Sequence, residues 1–441
     1  LQAATLGRTH FDVRAALHVS SFEEAVEALQ ALSEGASTPA LRVGDDTRAS
    51  KLSFLFTGQG SQCLGMGRGL YDSNASFRET LDEVVSHLDL HLDVPLLSVM
   101  FAEKGSDEAK LLGQTAYTQP ALFAFEVALA SLWQGWGIYP DYLLGHSIGE
   151  LTAACVSGVL SREDAAKLVC ARGRLMQACQ SGGAMVSLEA TEAEVAALLE
   201  GEEGPVGIAG LNGPNQTVIS GDGDAAERIS KALEAQGRKS TRLDVSHAFH
   251  SAHMDGMLDE FRAVAETCSY KAPQIPVVSN VTGRIATTDE LRDPTYWVRH
   301  VREAVRFVDG MNTLASLGVT THIECGPRGV LSGMGARCVD GGLFIPSHRK
   351  GRDDAKTMMK ALAELHLAGQ SLDFERVLGT DSFEPMALPT YPFARTTYWA
   401  DTFERALPSS TGSTGRWPLA GRELVLPGGG SLHVLDMGPA I

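Results

Sequence analysis

Short apolar runs alternate with amphipathic segments along most of this chain. The run from Leu52 to Phe56 leads into a glycine-rich loop, and the run from Tyr142 to Leu144 leads into the sequence GHSIGE. Runs this short that end at glycine are typical of buried strands. Because such strands alternate here with amphipathic helices, the pattern predicts an α/β protein built on a parallel sheet.

Two helices have recognisable starts. Ser21, with Glu24 three residues later, matches a capping box, and Ser161 with Asp164 predicts a second helix start. The apolar stripe of the second helix contains Arg172. An arginine on a buried face needs an anion, because an unpaired buried charge is very costly. The spacing leaves three possibilities open for Arg172. It forms a structural ion pair, its aliphatic stem packs while its guanidinium reaches water, or it binds a substrate carboxylate.

The pattern changes between about residues 182 and 245. The sequences AMVSL, QTVISG and KSTRLDV predict three strands, with helices near 191–200 and 224–236 between them. This order is typical of a small ferredoxin-like unit. Further along, an amphipathic helix is predicted near 353–368, and the proline-containing segment LPTYPFARTTYW follows it.

Length and composition limit the classes of protein to which this chain can belong. A chain of 441 residues, 44% hydrophobic and 21% charged, predicts two or three globular units. Lys and Arg total 37 against 54 Asp and Glu, a net charge of −17 that argues against nucleic-acid binding. No stretch approaches the roughly 18 apolar residues of a membrane span, and no signal-peptide pattern is present. Seven scattered cysteines without a CxxC pair indicate reduced thiols, so we expect a cytoplasmic protein.

The sequence GHSIGE places Ser147 between Gly145 and Gly149, after a predicted strand and before a predicted helix. This context predicts a nucleophile elbow, a turn so tight that the serine hydroxyl projects from it. The backbone N–H of Ile148 would then lie at a helix N-terminus, where it is available to an oxyanion. A glycine-rich turn without chemistry is the alternative, because GxSxG arises readily by chance in a chain with 46 glycines.

A nucleophilic serine needs a base, and the segment SHAFHSAHM offers His247, His250 and His253. Spacing alone does not select one of them. A metal site explains the three less well, because the outer two would lie on different faces of a helix and no acidic ligand is close in sequence. The glycines of GQGSQCLGMGRG lack the downstream residues of a dinucleotide or P-loop motif, so we interpret them as backbone that approaches the site rather than as a phosphate loop.

Six motifs, taken together and in order, indicate a family. They are TGQGSQ from Thr57, QTAYTQPALFAFEVAL from Gln114, GHSIGE from Gly145, ARGRLMQ from Ala171, HAFHS from His247 and ECGPRGVLSGM from Glu324. Residues 51–345 therefore resemble the acyltransferase domain of a modular type I polyketide synthase. The resemblance implies an α/β-hydrolase-like core, 51–180 and 246–345, with a ferredoxin-like subdomain at 181–245.

The flanking segments extend the resemblance. Residues 1–50 resemble the small α+β linker domain between a ketosynthase and the acyltransferase, and residues 346–405 resemble the linker that follows the acyltransferase. Residues 406–441 are similar to the opening of a dehydratase domain, incomplete and ending before that domain's catalytic histidine. We therefore expect an adjacent ketosynthase domain of the same synthase as a partner.

The resemblance also implies roles for individual residues. Ser147 would be the nucleophile and His250 the general base, with its imidazole oriented by a backbone carbonyl. The backbone N–H groups of Gln59 and Ile148 would form the oxyanion hole, and Arg172 would bind the free carboxylate of the extender unit. The other expected substrate contacts are His247, Phe249, Gln62, His146 and Asn212.

The reaction implied by the resemblance is a ping-pong transfer. Ser147 would take an acyl group from acyl-CoA and pass it to the phosphopantetheine thiol of an acyl carrier protein, without a metal or a bound organic cofactor.

Two features favour malonyl-CoA as the donor. Ile148 stands where methylmalonyl-selective relatives usually have Gln, and HAFH at 247–250 stands where they have Tyr-Ala-Ser-His. Phe249 would fill the space that an α-methyl group needs.

Several other functions are compatible with the sequence. A methylmalonyl-selective or relaxed acyltransferase would share most of the motifs. A serine thioesterase or hydrolase would share the serine and histidine but would not need Arg172. A free-standing malonyl transferase of fatty-acid synthesis should lack the flanking linkers, and a non-catalytic scaffold would not need the serine, the histidine and the arginine together.

Docking of an acidic carrier protein onto this acidic chain would require a local basic patch. Two groups of residues are candidates, and a solvated basic surface is the alternative for both. The candidates are Arg299, Arg302 and Arg306 at helical spacing, and Arg349, Lys350 and Arg352 in the sequence HRKGR.

Overall fold

The computed structural model describes residues 2–44, 50–379, 386–390, 393 and 396 and two strands near the C-terminus. The chain divides into one unit over Leu1–Pro385 and a second over Met386–Ile441. The strands are β1 Ala15–Leu17, β2 Leu41–Val43, β3 Lys51–Phe56, β4 Tyr142–Gly145, β5 Gly183–Leu188, β6 Val206–Gly213, β7 Gln216–Asp222, β8 Ser240–Arg242, β9 Val277–Val278, β10 Val319–Cys325, β11 Leu343–Pro346, β12 Arg422–Val425 and β13 Ser431–Val434.

Eighteen α-helices are present in the described residues, together with two 3₁₀ helices, Asp89–His91 and Ala252–Met257. They are α1 Gln2–Leu6, α2 Phe22–Ser33, α3 Arg68–Ser73, α4 Ala75–Leu88, α5 Leu96–Met100, α6 Asp107–Leu111, α7 Thr115–Gly135, α8 Gly149–Val156, α9 Arg162–Ala178, α10 Glu192–Leu199, α11 Gly223–Glu234, α12 Leu258–Ala265, α13 Thr288–Arg292, α14 Pro294–Arg302, α15 Phe307–Ser316, α16 Val330–Gly335, α17 Asp354–Leu367 and α18 Phe374–Leu378.

A five-stranded sheet of order β11-β10-β3-β4-β9 forms the centre of the first unit, and all its strands run parallel. Strands β3 and β4 are the two predicted from their apolar runs, and both are almost wholly buried. Helix α7 packs against α4 and α9, and it is buried on nearly every side because its residues are apolar all round. Since β3 and β4 are parallel neighbours, the loops that follow them lie side by side at the carboxyl end of the sheet.

A separate four-stranded antiparallel sheet has the order β6-β7-β5-β8. Helices α10 and α11 complete the strand–helix–strand–strand–helix–strand order of a ferredoxin-like unit. The sequence predicts three strands here, and that number is wrong by one. Strand β6 escapes prediction because Gly207, Gly210 and Gly213 interrupt it, and glycine is depleted in strands.

The N-terminal segment forms a small α+β layer from β1, β2 and α2, as the fold expectation requires. Ser21 caps α2 by accepting a hydrogen bond from Glu24 N–H at 3.2 Å. The side chains of Phe22, Val26 and Leu29 on this helix are 79%, 47% and 52% exposed. These three apolar side chains therefore form an exposed surface among the described residues.

In the second unit, the described residues include two strands, β12 and β13, which pair antiparallel. Most of the segment LPTYPFARTTYW, and the rest of the dehydratase-like opening at 406–441, lie outside the described residues. All seven cysteines of the chain lie in the first unit as unpaired thiols. No helix among the residues that the structure describes is long and apolar enough to cross a bilayer.

Candidate active site

Ser147 lies in a tight turn between β4 and α8, and its φ of 54° is in the left-handed region. The glycines on either side of Ser147 are required because neighbouring backbone atoms lie too close for a side chain. A Cβ on Gly145 would lie 2.1 Å from the Glu150 nitrogen, and one on Gly149 would lie 2.2 Å from the Phe56 oxygen. Only hydrogen fits at these two positions, so the GxSxG spacing encodes a turn packed against its own helix and against β3.

His250 is the histidine that reaches the serine. The Ser147 hydroxyl lies 2.8 Å from His250 Nε2, and His250 Nδ1 lies 2.8 Å from the main-chain oxygen of Glu303. A carbonyl can only accept, so Nδ1 carries the proton and Nε2 is free to accept from the serine. His247 instead faces Ser246 Oγ and the carbonyl of Cys179. No cluster of potential metal ligands occurs in the described part of the chain.

Burial controls the protonation state of His250. Its side chain is only 4% exposed, and loss of hydration together with the charge of Arg172 lowers the pKa of the imidazole to about 3. The ring is therefore neutral at physiological pH, which is the form that can accept a proton from a hydroxyl.

Arg172, on α9, lies beside the same hydroxyl. Its Nη2 donates to Ser147 Oγ at 3.1 Å and its Nη1 donates to Gln119 Oε1 at 2.7 Å. The side chain is 2% exposed, and burial lowers the pKa of the guanidinium to about 9. Its Nε has no partner among the described residues, so donors remain for an anion within reach of the serine.

A cavity of about 300 Å³ opens above these groups, between the parallel sheet and the ferredoxin-like subdomain. A hydrogen bond of 2.9 Å between His146 Nε2 and Asn212 Oδ1 joins its two walls. The wall on the subdomain side is largely apolar. The residues predicted from sequence that line the cavity are Gln59, His146, Ser147, Arg172, Asn212, Phe249 and His250, and the lining residues that sequence reasoning missed include Gln119, Met176, Met185, Ala209 and Val218.

Two residues predicted as substrate contacts do not line the cavity. Gln62 instead stabilises its own loop, where its Oε1 accepts from Gly60 N–H at 2.7 Å. His247 is held behind Phe249, with 5.9 Å between the two ring centroids. Hydrogen bonds to neighbouring main-chain and side-chain groups hold both side chains outside the cavity lining.

The two backbone groups predicted for an oxyanion hole lie on neighbouring segments. Gln59 is in the loop after β3, and Ile148 is the N-cap residue of α8. Within the described residues, neither main-chain N–H has a hydrogen-bond acceptor in the protein. Main-chain N–H groups without an acceptor, one of them on the residue next to Ser147, are suited to stabilising a developing negative charge.

Glu126 fixes these two segments relative to each other, a role that sequence reasoning missed. Its carboxylate accepts from Thr57 N–H at 2.7 Å, from the Thr57 hydroxyl at 2.5 Å and from the Thr152 hydroxyl at 2.9 Å. Thr57 begins the loop that carries Gln59, and Thr152 is on α8. Complete burial raises the pKa of Glu126. The available signal was a single acidic residue in the otherwise uncharged helix α7.

Glu150 is a second buried carboxylate that sequence reasoning missed. It accepts hydrogen bonds from Asn280 N–H at 2.7 Å and from the hydroxyl of Tyr296, and it lies 3.9 Å from His300 Nε2. Burial raises its pKa to about 7, against the opposing effect of the Arg172 charge. The sequence contained a sign of this role, because the motif GHSIGE places an acidic residue in the first turn of α8, a helix that the structure buries.

The two candidate basic groups differ in the structure. The first group does not form one helical surface, because α14 ends at Arg302 and Arg306 precedes α15. Its members are neutralised in pairs: Arg299 with Glu303 at 2.7 Å, Arg302 with Asp255 at 2.8 Å and Arg306 with Asp309 at 2.6 Å. The second group, Arg349, Lys350 and Arg352, forms no ion pair within the described residues, and two of its members line an open groove beside α17.

Comparison with known proteins agrees with this geometry. A family model for the acyl transferase domain matches residues 53–371. The chain is 47% identical over 431 residues to the polyketide synthase GfsA of Streptomyces halstedii, which covers 96% of this chain. The chain spans only 6 to 20% of the length of this and two similar synthases.

Solved structures show the same relationship. The acyltransferase domain from the second module of the salinomycin polyketide synthase is 45% identical, with a TM-score of 0.80 over 86% of this chain and 89% of that one. The malonyl-CoA:acyl carrier protein transacylase of Xanthomonas oryzae is 36% identical, with a TM-score of 0.64 over 71% of this chain and 99% of that one.

The chain is thus an acyltransferase with an α/β fold, a member of the acyl transferase domain family. Within that family it is an acyltransferase domain of the modular type I polyketide synthase kind. The family and the fold predicted from the six motifs are confirmed.

Proposed function

We propose that this domain loads malonyl from malonyl-CoA onto the phosphopantetheine thiol of an acyl carrier protein, with Ser147 as nucleophile and His250 as base. One observation carries the proposal. The Ser147 hydroxyl lies 2.8 Å from an imidazole nitrogen and 3.1 Å from a buried guanidinium nitrogen. A base and a carboxylate-binding cation therefore meet at a single nucleophile.

In the first half-reaction, His250 Nε2 takes the hydroxyl proton as Ser147 Oγ attacks the thioester carbon. The N–H groups of Gln59 and Ile148 stabilise the oxyanion that forms. Collapse breaks the C–S bond, and His250 returns its proton to the departing CoA sulfur. The neutral imidazole that this cycle requires is favoured by the lowered pKa of His250.

In the second half-reaction, the phosphopantetheine thiol enters the same cavity and gives its proton to His250. The thiolate attacks the serine ester, and the proton passes to Ser147 as the ester C–O bond breaks. A similar protein is described as a malonyl-CoA:acyl carrier protein transacylase, which supports this choice of acceptor.

Selection of a malonyl group rests on Arg172 and Phe249. Arg172 offers a desolvated charge to the free carboxylate, and this interaction is stronger in a dry site than in water. Phe249 lines the cavity together with His250, and in this proposal its ring excludes the α-methyl group of methylmalonyl. His146 and Asn212 complete the wall between the sheet and the subdomain.

The flanking segments fit a multidomain synthase. We assign residues 1–50 as the ketosynthase-to-acyltransferase linker, 51–345 as the acyltransferase, 346–405 as the following linker and 406–441 as the start of a dehydratase-like domain. The exposed apolar surface of Phe22, Val26 and Leu29 on α2 fits contact with an adjacent ketosynthase domain.

Intact-protein mass spectrometry tests the proposal. Mixed with malonyl-CoA alone, the wild-type domain should gain one malonyl group on Ser147, and Ser147→Ala should gain none. Holo carrier protein should then remove the label from the enzyme. Rapid turnover of malonyl-CoA without carrier protein would instead indicate a thioesterase or hydrolase, and dominant labelling by methylmalonyl-CoA would indicate the other extender unit.

A further inference from the structure

Three residues after Ser147, the buried carboxylate of Glu150 contacts two distant segments. The loop after β9 donates the Asn280 N–H at 2.7 Å, and α14 donates the hydroxyl of Tyr296. Asn280 also donates its side-chain amide to the carbonyl of Gly145 at 3.1 Å. The turn that carries Ser147 is therefore fixed to these segments on both of its sides.

Helix α14 has a direct connection to the proposed base. Glu303 follows its last residue, and the main-chain oxygen of Glu303 accepts from His250 Nδ1 at 2.8 Å. Tyr296 lies on the same helix, about two turns earlier. A short helix moves nearly as a rigid unit, so a shift at Tyr296 displaces the carbonyl that orients the imidazole.

We propose that Glu150 is a positioning residue for acyl transfer: by binding Tyr296 it sets helix α14, and with it the Glu303 carbonyl and His250, at the correct distance from Ser147. This inference rests on the proposed function of Ser147 and His250. It concerns how the pair is aligned and does not depend on the identity of the acyl group or its acceptor.

The chemistry of the link supports a functional role over a purely structural one. Glu150 is fully buried, and it is faced by the Asn280 N–H from the loop after β9, by Tyr296 and His300 on α14 and by the charge of Arg172 on α9. A buried carboxylate is weak evidence for stability, because apolar residues of similar volume usually pack as well or better. What it supplies is a directional connection between two parts of a site in which small displacements are costly.

Two variants break the link from opposite sides. Tyr296→Phe removes only the hydroxyl on α14, and Glu150→Leu keeps a similar volume while it removes the acceptor of that hydroxyl, which an amide at this position would replace with a donor. Tyr270→Phe is the matched control, since it removes a hydroxyl that donates to the carbonyl of Ala265 at 3.0 Å, outside the site. The double variant tests whether Glu150 and Tyr296 act through one connection.

The reaction of Ser147 with a fluorophosphonate probe reports the serine–histidine pair without CoA or carrier protein. Both single variants should lower the rate constant for labelling by roughly ten- to a hundredfold. The fraction of enzyme that is finally labelled should not change, whereas a merely structural loss of folded protein would lower that fraction and leave the rate constant. Tyr296→Phe should also lower kcat for malonyl loading while KM for malonyl-CoA stays constant, and Tyr270→Phe should match the wild type.

Wild-type labelling rates in both single variants would overturn the inference while leaving the proposed function intact. A double variant whose loss equals the product of the two single losses would also overturn it, because the residues would then act separately. Failure of the wild-type enzyme to label at Ser147 would overturn the proposed function, and this inference with it.

Discussion

Ser147 and His250, whose side chains meet at 2.8 Å, both adopt backbone conformations that L-residues usually avoid. Their φ angles are 54° and 53°, and within the described part of the chain they are the only non-glycine residues with positive φ. Each such conformation costs roughly 1–3 kcal/mol, which the surrounding structure must offset. The strain falls on the two partners that the proposed reaction brings together, so their pairing is imposed by the framework around them.

The choice of base can be tested by two matched substitutions. His250→Ala should slow the loading of Ser147 by about two to four orders of magnitude, the usual effect of losing a positioned base. His247→Ala should have a mild effect, because the His247 ring contacts Ser246 and Cys179 rather than Ser147. The measurement is pre-steady-state loading from malonyl-CoA. The reverse ranking of the two variants would identify His247 as the base.

The pH dependence should differ from that of an ordinary histidine. The pKa of His250 lies at about 3 in the folded protein, against 6.5 for an unperturbed imidazole. Labelling of Ser147 by a fluorophosphonate should therefore change little between pH 6.5 and about pH 5, where an ordinary histidine would lose most of its neutral form. Because only the unfolded state binds this proton in that range, His250 should also reduce stability as the pH falls below 6.5.

The same pH experiment has an internal check. The charge of Arg172 is the second cause of the lowered pKa, after burial. In Arg172→Ala the pKa of His250 should rise, and the loss of labelling rate should begin at a higher pH than in the wild type. A wild-type profile with an inflection near pH 6.5 would contradict the neutral, buried imidazole described above.

Arg172→Ala should erase the preference for malonyl-CoA over acetyl-CoA. Acetyl lacks the carboxylate that Arg172 is proposed to bind, and truncating one partner of a buried charge pair costs roughly 2–5 kcal/mol. Competitive loading from an equimolar mixture of the two thioesters measures the ratio. A variant that keeps its malonyl preference would make Arg172 a structural residue that serves Gln119 and Glu150.

The domain should prefer malonyl-CoA to methylmalonyl-CoA by roughly tenfold to two-hundredfold, since one methyl group in a tight pocket is worth about 1–3 kcal/mol. Phe249→Ser should relax the preference, because the ring lines the cavity beside the base. His247→Tyr alone should do less, because His247 does not line the cavity. Competitive loading of wild type and both variants separates the effects, and an unchanged ratio in Phe249→Ser would mean that this position does not cause the selectivity.

Carrier-protein docking should depend on the second basic group, which forms no ion pair within the described residues. Reversing the charge of Arg349, Lys350 and Arg352 should slow transfer of malonyl to carrier protein and leave self-loading from malonyl-CoA intact, because these residues lie outside the cavity. Reversal of Arg174, which is paired with Glu260 at 2.9 Å on the exposed surface, is the control. The comparison is made at low salt, where screening is weakest. Equal transfer by the reversed variant would exclude this group from docking.

The sequence alone was sufficient for the features that depend on neighbouring residues. Strands β3 and β4, the capped start of α9 and the turn around Ser147 each follow from a few consecutive residues whose spacing has one good backbone solution. The order of the six motifs indicated the family for the same reason, since each motif is a local pattern. Strand β6 could not be predicted, because its own residues include several glycines and it is the pairing with β7 that makes it a strand.

The tertiary structure decided which side chains meet. His250 is 103 residues from Ser147 and 53 from the Glu303 carbonyl that orients it, and spacing alone does not distinguish it from His247. Glu126 and Glu150 stand out in the sequence only as single acids in otherwise uncharged helices, and it is the fold that buries them and surrounds each with donors from other segments. A hydrogen bond forms only over about 3 Å, so its partners are determined by how the sheet, the helices and the subdomain pack together, which spacing along the chain does not encode.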